Sequence, residues 1–174
     1  MLFNHCIAVV QLKDKIVFLD PTCETCSFGD LPADDQCRKV LIFKEEEYQI
    51  QDTSLYPAEH NTIKQQLRIK ITDEETLSAE KKIFTYGIYE QAQRYWLLYT
   101  PPELIAQALK EKIQEVSIGA TLDKYGIENL HNLNEPVVLG YAFKGPEYFT
   151  CAGNLRIMPQ LAGLDTSLVA KDKR

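Results

Sequence analysis

The chain has 174 residues with 25 acidic and 19 basic side chains, a formal net charge of −6 and 45% hydrophobic residues. This length fits one domain or two small ones, and an aromatic content of 10% excludes intrinsic disorder as the main state. The acidic balance provides no positive surface for phosphates, so we expect neither a nucleic acid nor an anionic membrane surface as partner.

We expect neither a secretory leader nor a membrane-spanning segment. Met1 leads into Leu2 and Phe3 without a basic region, and no stretch approaches about 18 uninterrupted apolar residues. The five cysteines cannot all pair within one chain, which argues against a small secreted scaffold held by disulfides. We therefore expect a soluble chain.

The first part of the chain is typical of β-strands. Residues 3–11 and 15–20 are rich in Ile, Val and Phe, and the polar residues between them predict a hairpin. A loop at 21–36 holds most of the cysteines, and residues 38–43 return to strand composition. We interpret the charged run at 44–47 as an exposed linker. Together with the segment of low apolar content that follows it up to residue 57, this run indicates a domain boundary near residue 45.

The second part combines strands with two helices. Residues 62–72 and 77–86 alternate apolar and polar side chains, which predicts two antiparallel strands joined at 73–75, and strands resume at 120–130 and 137–143. Together with the helices, these strands predict an α+β fold, mostly antiparallel β with a helical hairpin in the C-terminal part.

The helical hairpin is centred on two prolines. Thr100 and Glu103 form a capping box with proline at the first helical position, and this helix is predicted to end at Gly119. Residues 89–99 predict a helix before it, whereas the polar tail at 166–174 is expected to fray. The apolar stripe of the second helix consists of Leu104, Ile105, Ala108, Leu109, Ile113 and Val116.

A histidine and an aspartate are placed to meet across the first hairpin. If residues 11–14 form its loop, Val10 faces Lys15, and His5 faces Asp20 on the same side of the ladder. A carboxylate there fixes the tautomer of the imidazole and leaves the other ring nitrogen free to deprotonate a nucleophile. The alternative is a half-buried strand histidine beside an aspartate that only starts a turn.

The residues around this pair resemble a known family. The segment FNHCIAVVQLKDKIVFLDPT, followed by GDLPADDQCRKVLIF, resembles the stretch around the second and third catalytic residues of bacterial transglutaminase-like proteins, which belong to the papain-type cysteine-hydrolase superfamily. The resemblance implies that His5 and Asp20 are the histidine and aspartate of a catalytic triad. It also implies that residues 1–45 are the C-terminal strands of an incomplete transglutaminase-like core.

Residues 46–174 resemble, more weakly, the β-rich accessory domain of unknown function that follows such a core in one bacterial subgroup. The shared features are YGIY at 86–89, the helical pair, the turn at 129–136 and PEY at 146–148. For a complete parent protein, which we expect in the cell envelope or periplasm, the resemblance implies acyl transfer or hydrolysis on a protein or peptide substrate, without a cofactor.

The nucleophile of that family is not at its expected place. In the superfamily the cysteine starts a helix upstream of the histidine, where the helix dipole lowers its thiol pKa, but this chain begins four residues before His5. Cys6 points to the opposite face of the strand, and we expect it to be a small core residue. Cys23, Cys26 and Cys37 lie in a loop without an evident helix start. We therefore expect the chain alone to be inactive.

Two of the loop cysteines also have the spacing of a zinc knuckle. Cys23 and Cys26 would need a second pair, and only Cys37, with His5 or Cys6 as outside candidates, is available. We expect no metal, with the loop cysteines either reduced or paired with each other. A zinc-stabilised loop is the alternative.

The remaining candidates have simpler interpretations. Trp96, Tyr95 and Tyr99 occur at helical spacing and are expected to form a core face rather than a binding platform. His60 and His131 lie in turn-like segments without companion residues, so we expect them to be solvated. The alternative function is a non-catalytic binding or assembly module, and the exposed strands of an incomplete core predict self-association.

Overall fold

A computed structural model describes residues 4–44, 47–72, 76–146 and 149–157. With 19% helix and 40% strand in antiparallel sheets, it confirms the predicted α+β fold. The elements in chain order are β1 (Ala8–Gln11), β2 (Ile16–Leu19), a 3-10 turn (Ala33–Asp35), β3 (Lys39–Lys44), β4 (Glu47–Asp52), β5 (Ile63–Ile71), β6 (Leu77–Thr85), α1 (Ile88–Tyr99), α2 (Pro102–Gln114), β7 (Thr121–Glu128), β8 (Val138–Gly145), β9 (Thr150–Ala152) and β10 (Leu155–Ile157).

The first hairpin, β1 with β2, has a tighter turn than the sequence suggested. The main-chain N–H of Leu12 donates to the carbonyl of Lys15 at 2.8 Å, so only residues 13–14 form the turn. Val10 therefore lies opposite Val17, and the predicted pairing of Val10 with Lys15 is wrong. The error is a shift of two residues, which leaves every side chain on its predicted face because side chains alternate along a strand.

The segment after β3 is a strand rather than a linker. Lys44 lies opposite Glu47, and the antiparallel pairing of β3 with β4 continues to Lys39 opposite Asp52. The alternation of apolar and polar residues in EYQIQD is a strand pattern that the neighbouring charge cluster obscured. The interpretation of the run at 44–47 as a linker is therefore wrong for Lys44 and Glu47, which are paired strand residues, whereas residues 45 and 46 lie outside the described residues.

The predicted strands of the second part are present in a four-stranded sheet with the order β5-β6-β8-β7. Two short strands, β9 and β10, pair as a separate hairpin that the sequence analysis did not predict. The predicted join at 73–75 and the tail at 166–174 lie outside the described residues.

Both predicted helices are present, but α2 is shorter than expected. It ends at Gln114 because the N–H groups of Val116 and Ser117 both donate to the carbonyl of Ile113 at 3.1 Å, which closes the last turn before Gly119. From its apolar stripe, Ile105, Leu109 and Ile113 are buried, whereas Leu104 is 53% exposed. In the described part of the chain, no helix is long and apolar enough to cross a membrane.

The chain divides into two compact units. The first consists of Met1–Lys64, Lys82–Pro101 and Gly126–Gly140, and the second of Gln65–Lys81, Pro102–Tyr125 and Tyr141–Arg174. The domain boundary expected near residue 45 stays a prediction. The first unit has a small core of Phe18, Leu31 and Ile42, against which Ile7, Ile16, Val40 and Tyr56 pack.

Candidate functional site

His5 and Asp20 meet just beyond the paired part of the first hairpin. His5 precedes β1 by three residues, and Asp20 directly follows the last residue of β2. The Nε2 atom of His5 lies 3.3 Å from Oδ2 of Asp20, whose side chain is 5% exposed, whereas that of His5 is 41% exposed. The predicted proximity of the two side chains is therefore present, and their catalytic role stays a prediction.

The sequence Leu-Asp-Pro-Thr holds the Asp20 carboxylate in place. Its Oδ1 atom accepts hydrogen bonds from the main-chain N–H of Thr22 at 2.9 Å and from the Thr22 hydroxyl at 2.8 Å. The N–H of Cys23 also donates to the carbonyl of Asp20 at 3.1 Å, so the turn is closed by main chain and side chain together. One carboxylate oxygen thus anchors the turn, and the other faces His5.

The hydrogen bonds outweigh burial in setting the charge of Asp20. Burial alone would raise the pKa of this carboxyl, but the two hydrogen bonds from Thr22 and the interaction with His5 favour the charged form. The net effect is a pKa of Asp20 below its ordinary value. The group facing His5 is therefore a carboxylate at neutral pH.

A second carboxyl, that of Asp35, approaches the same imidazole and was missed by the sequence analysis. Its Oδ2 atom lies 3.7 Å from Nε2 of His5, and its side chain is 17% exposed. Burial, together with the nearby Asp20 carboxylate, raises the pKa of Asp35, although His5 opposes the shift. Among the described residues, no group donates a hydrogen bond to the buried Oδ2.

Asp35 reaches the site through the packing of the loop that precedes β3. Leu31 is 1% exposed in the core, and the side-chain amide of Gln36 donates to its carbonyl at 2.9 Å. The Thr53 hydroxyl donates to the main-chain carbonyl of Asp35 at 2.5 Å. The only signal in the sequence was that two aspartates follow a Gly-x-Leu-Pro loop, and this pattern does not indicate that the Asp35 side chain faces His5.

The cysteines of the described residues divide into one disulfide and three free thiols. Cys23 and Cys26 form a disulfide with their Cα atoms 5.5 Å apart, so neither sulfur is a thiolate ligand in this state, and the alternative of a zinc-stabilised loop would require their reduction. Cys6, Cys37 and Cys151 are free and exposed. The expectation that Cys6 is a core residue is therefore wrong.

His60 has companions that the sequence analysis did not identify. Its Nε2 atom lies 3.4 Å from Oδ1 of Asp30, and its ring stacks on Tyr56 with 4.8 Å between the ring centroids. The expectation that His60 lacks partners is wrong, whereas His131 is exposed as expected.

The aromatic cluster of α1 faces solvent in part. Tyr95 and Tyr99 are 61% and 55% exposed, and their ring centroids lie 4.7 Å apart. The helix instead buries Arg94 and Leu97. The interpretation of the tyrosines as a core face is therefore wrong.

Arg94 is a buried cation that fixes a loop of the first unit. Its side chain is fully buried and pairs with Glu90. Its guanidinium donates to the carbonyls of Asn129 at 2.5 Å, Leu130 at 2.6 Å, Glu135 at 3.0 Å and Asn132 at 3.3 Å.

The loop that Arg94 fixes is tied to the loop after Asp20. The Ser27 hydroxyl donates to the carbonyl of Leu133 at 2.5 Å, and the side-chain amide of Gln91 donates to the carbonyl of Leu31 at 3.3 Å. These contacts link α1 and the 129–136 loop to the segment that carries Asp20 and Asp35. Arg94 is thus a structural support of the site rather than part of its chemistry.

In comparisons with known proteins, no protein-family model, no curated protein and no solved structure matches the chain.

Proposed function

We propose that this chain carries the base and the orienting carboxylate of a transglutaminase-like cysteine hydrolase or acyltransferase. The observation that supports the proposal is the 3.3 Å separation of His5 Nε2 from Asp20 Oδ2, with the other oxygen of the carboxylate held by Thr22. A carboxylate on Nε2 fixes the orientation of the ring and leaves Nδ1 for proton transfer. The substrate would be a carboxamide of a protein or peptide.

In this mechanism, Nδ1 of His5 takes the proton of a cysteine thiol, and the thiolate attacks the carbonyl carbon of the amide. The C–N bond then breaks, and the leaving amine takes the proton from Nδ1, which leaves a thioester. Water or a second amine cleaves the thioester, giving hydrolysis or acyl transfer. Asp20 stabilises the imidazolium that forms between the proton transfers.

The nucleophile is the part of this mechanism that the contacts of His5 do not supply. The side chains that meet Nε2 of His5 are the carboxyls of Asp20 and Asp35, and the resemblance places the family's cysteine at a helix start for which this chain shows no counterpart. We therefore expect the chain alone to show no amide hydrolysis or transamidation. Turnover by the 174-residue protein that iodoacetamide abolishes would contradict this expectation.

The test of the triad roles supplies the nucleophile separately: the chain is mixed with a polypeptide that carries the cysteine-bearing half of a transglutaminase-like core, and the mixture is assayed for amide hydrolysis and transamidation. Replacing His5 or Asp20 by alanine should lower kcat by about 10²-fold to 10⁴-fold, the usual contribution of general acid–base catalysis. The control is His131→Ala, because this histidine is exposed and outside the site. Equal turnover in all three variants would contradict the proposal.

A second candidate function, an assembly module, is favoured by an apolar face on β3 and β4. Phe43 lies opposite Tyr48 and Leu41 opposite Ile50, so these four side chains share one face of the hairpin. Phe43, Tyr48 and Ile50 are 78%, 71% and 68% exposed. A second copy of the chain is the occupant that fits best, because two identical apolar faces can pack against each other about a twofold axis and so cover each other.

Size-exclusion chromatography with light scattering tests this assembly. The protein should be a dimer that the double substitution Phe43→Ser and Tyr48→Ser converts to a monomer. The control is Phe28→Ser, since Phe28 is equally exposed, at 78%, but lies in the loop after the disulfide. A monomeric parent protein would contradict the assembly function and leave the catalytic proposal unaffected.

A further inference from the structure

We infer that His5, Asp20 and Asp35 form a binding site for one divalent transition-metal ion, with Zn²⁺ as the best fit. The metal site shares His5 and Asp20 with the proposed triad and adds Asp35, which the triad does not use. The inference is independent of the acyl-transfer role, because metal binding requires no catalysis. It is carried by the spacing of the three ligand atoms, by the buried oxygen of Asp35 and by the opening at His5.

The ligand atoms already have the separations that a single ion requires. Nε2 of His5 lies 3.3 Å from Oδ2 of Asp20 and 3.7 Å from Oδ2 of Asp35, and all three atoms lie within 4.8 Å of one another. Zinc bonds of about 2.0–2.1 Å in a tetrahedron place neighbouring ligands about 3.3 Å apart. Only small movements would therefore bring the three atoms onto one ion.

The charge and hydrogen bonding of the site favour a cation. Oδ2 of Asp35 is buried and receives no hydrogen bond from the described residues, so a positive ion would supply the missing partner. Metal coordination uses the lone pair of an imidazole nitrogen and the charged form of a carboxyl, so an ion at this site would bring together one neutral and two negative ligands. A divalent ion would neutralise both.

Hydrogen bonds from neighbouring residues fix the positions of the two aspartates that would bind the ion. Thr22 binds the Oδ1 atom of Asp20, which leaves Oδ2 turned to His5. Thr53 fixes the main chain of Asp35 through its carbonyl. Such outer contacts orient ligands and raise metal affinity.

The site would keep one coordination position for water or a small ligand. Three protein ligands and an open fourth position distinguish catalytic zinc sites from closed structural sites. The exposed fraction of the His5 side chain, 41%, gives solvent a path to this position. A mixed nitrogen and oxygen set suits Zn²⁺, whereas Ca²⁺ and Mg²⁺ prefer oxygen ligands alone.

Metal binding and the proposed base role exclude one another at Nε2. The metal takes the lone pair of Nε2, whereas the triad requires a proton on Nε2 that is donated to Asp20. Zn²⁺ should therefore inhibit any amide turnover that depends on His5, but the binding test below does not use activity.

The experiment is isothermal titration of the full chain with ZnCl₂ after removal of metals with a chelator. The free thiols are first alkylated, because Cys6, Cys37 and Cys151 are exposed and thiolates are good zinc ligands. We expect one ion per chain. His5→Ala and Asp35→Asn should each weaken binding at least about tenfold, the loss that even an outer contact of a metal site costs.

The matched controls are His131→Ala and Asp34→Asn, which change the same residue types at exposed positions and should bind as the parent does. A variant-free measurement is the NMR signal of the His5 ring, which should shift on addition of zinc to the alkylated parent protein. Absence of one-to-one binding after alkylation, or equal affinity in His5→Ala, would overturn the inference, while the outcome of the amide assay would stand separately.

Discussion

The carboxyl of Asp35 lies 3.7 Å from Nε2 of His5, on a loop that follows His5 by 30 positions in the sequence. The imidazole therefore faces two carboxyls, which differ in environment. That of Asp20 is held by hydrogen bonds and has a lowered pKa, whereas the pKa of Asp35 is raised by burial and by Asp20. This asymmetry distinguishes the site from a simple pair of histidine and aspartate, in which a single carboxylate orients the ring.

Substitution of Thr22 by valine tests how the Asp20 carboxylate is held. Valine keeps the branched shape and the main-chain N–H bond but removes the hydroxyl that donates to Oδ1 at 2.8 Å. We expect urea unfolding at pH 7 to show a loss of about 1 kcal/mol, typical of one hydrogen bond. The control is Thr121→Val at an exposed position of β7, and an equal loss there would contradict a specific role for Thr22.

The approach of His5 to Asp20 could be predicted from the sequence, although both residues lie just beyond the paired strands, because the register error in those strands was even. The true pairing, Val10 opposite Val17, differs from the predicted one by two residues, and an even shift preserves the face. The hydrogen bond from the main-chain N–H of Leu12 to the carbonyl of Lys15 closes a turn of residues 13–14, in place of the longer loop that the sequence suggested. The alternation of apolar and polar residues therefore predicted on which face of the hairpin each side chain lies, but it did not predict which residues lie opposite each other.

Asp35 and Arg94 could not be predicted, because their positions are set by contacts between distant segments. Asp35 depends on the buried Leu31 and on Thr53, which follows it by 18 residues. Arg94 is buried because carbonyls 35 to 41 residues later in the chain accept its hydrogen bonds. No periodicity within α1 indicates those acceptors, since an arginine in a helix is ordinarily exposed.

Replacement of Arg94 by methionine should be among the most destabilising single changes in the first unit. It leaves the carbonyls of the 129–136 loop without donors and Glu90 without its cation. The expected loss in free energy of unfolding is about 3–5 kcal/mol, as for other buried ion pairs deprived of one partner. Arg68→Met on β5 is the control, since Arg68 is exposed. A loss below about 1 kcal/mol in Arg94→Met would contradict the buried network.

Lys81 should destabilise the second unit at neutral pH. Burial, followed by repulsion from Lys112, lowers the pKa of Lys81 below its ordinary value of 10.5, so the folded state disfavours the charged amine. The unfolded chain then binds more protons between the lowered pKa and 10.5, and stability rises with pH across that range. Because solvent still reaches the side chain, Lys81→Met should raise the free energy of unfolding at pH 7 by no more than about 1 kcal/mol. This gain, measured by urea unfolding, should shrink as the pH approaches 10.5. Lys82→Met removes an exposed ion pair with Glu128 and should show no such gain, and equal gains in both variants would contradict the assignment.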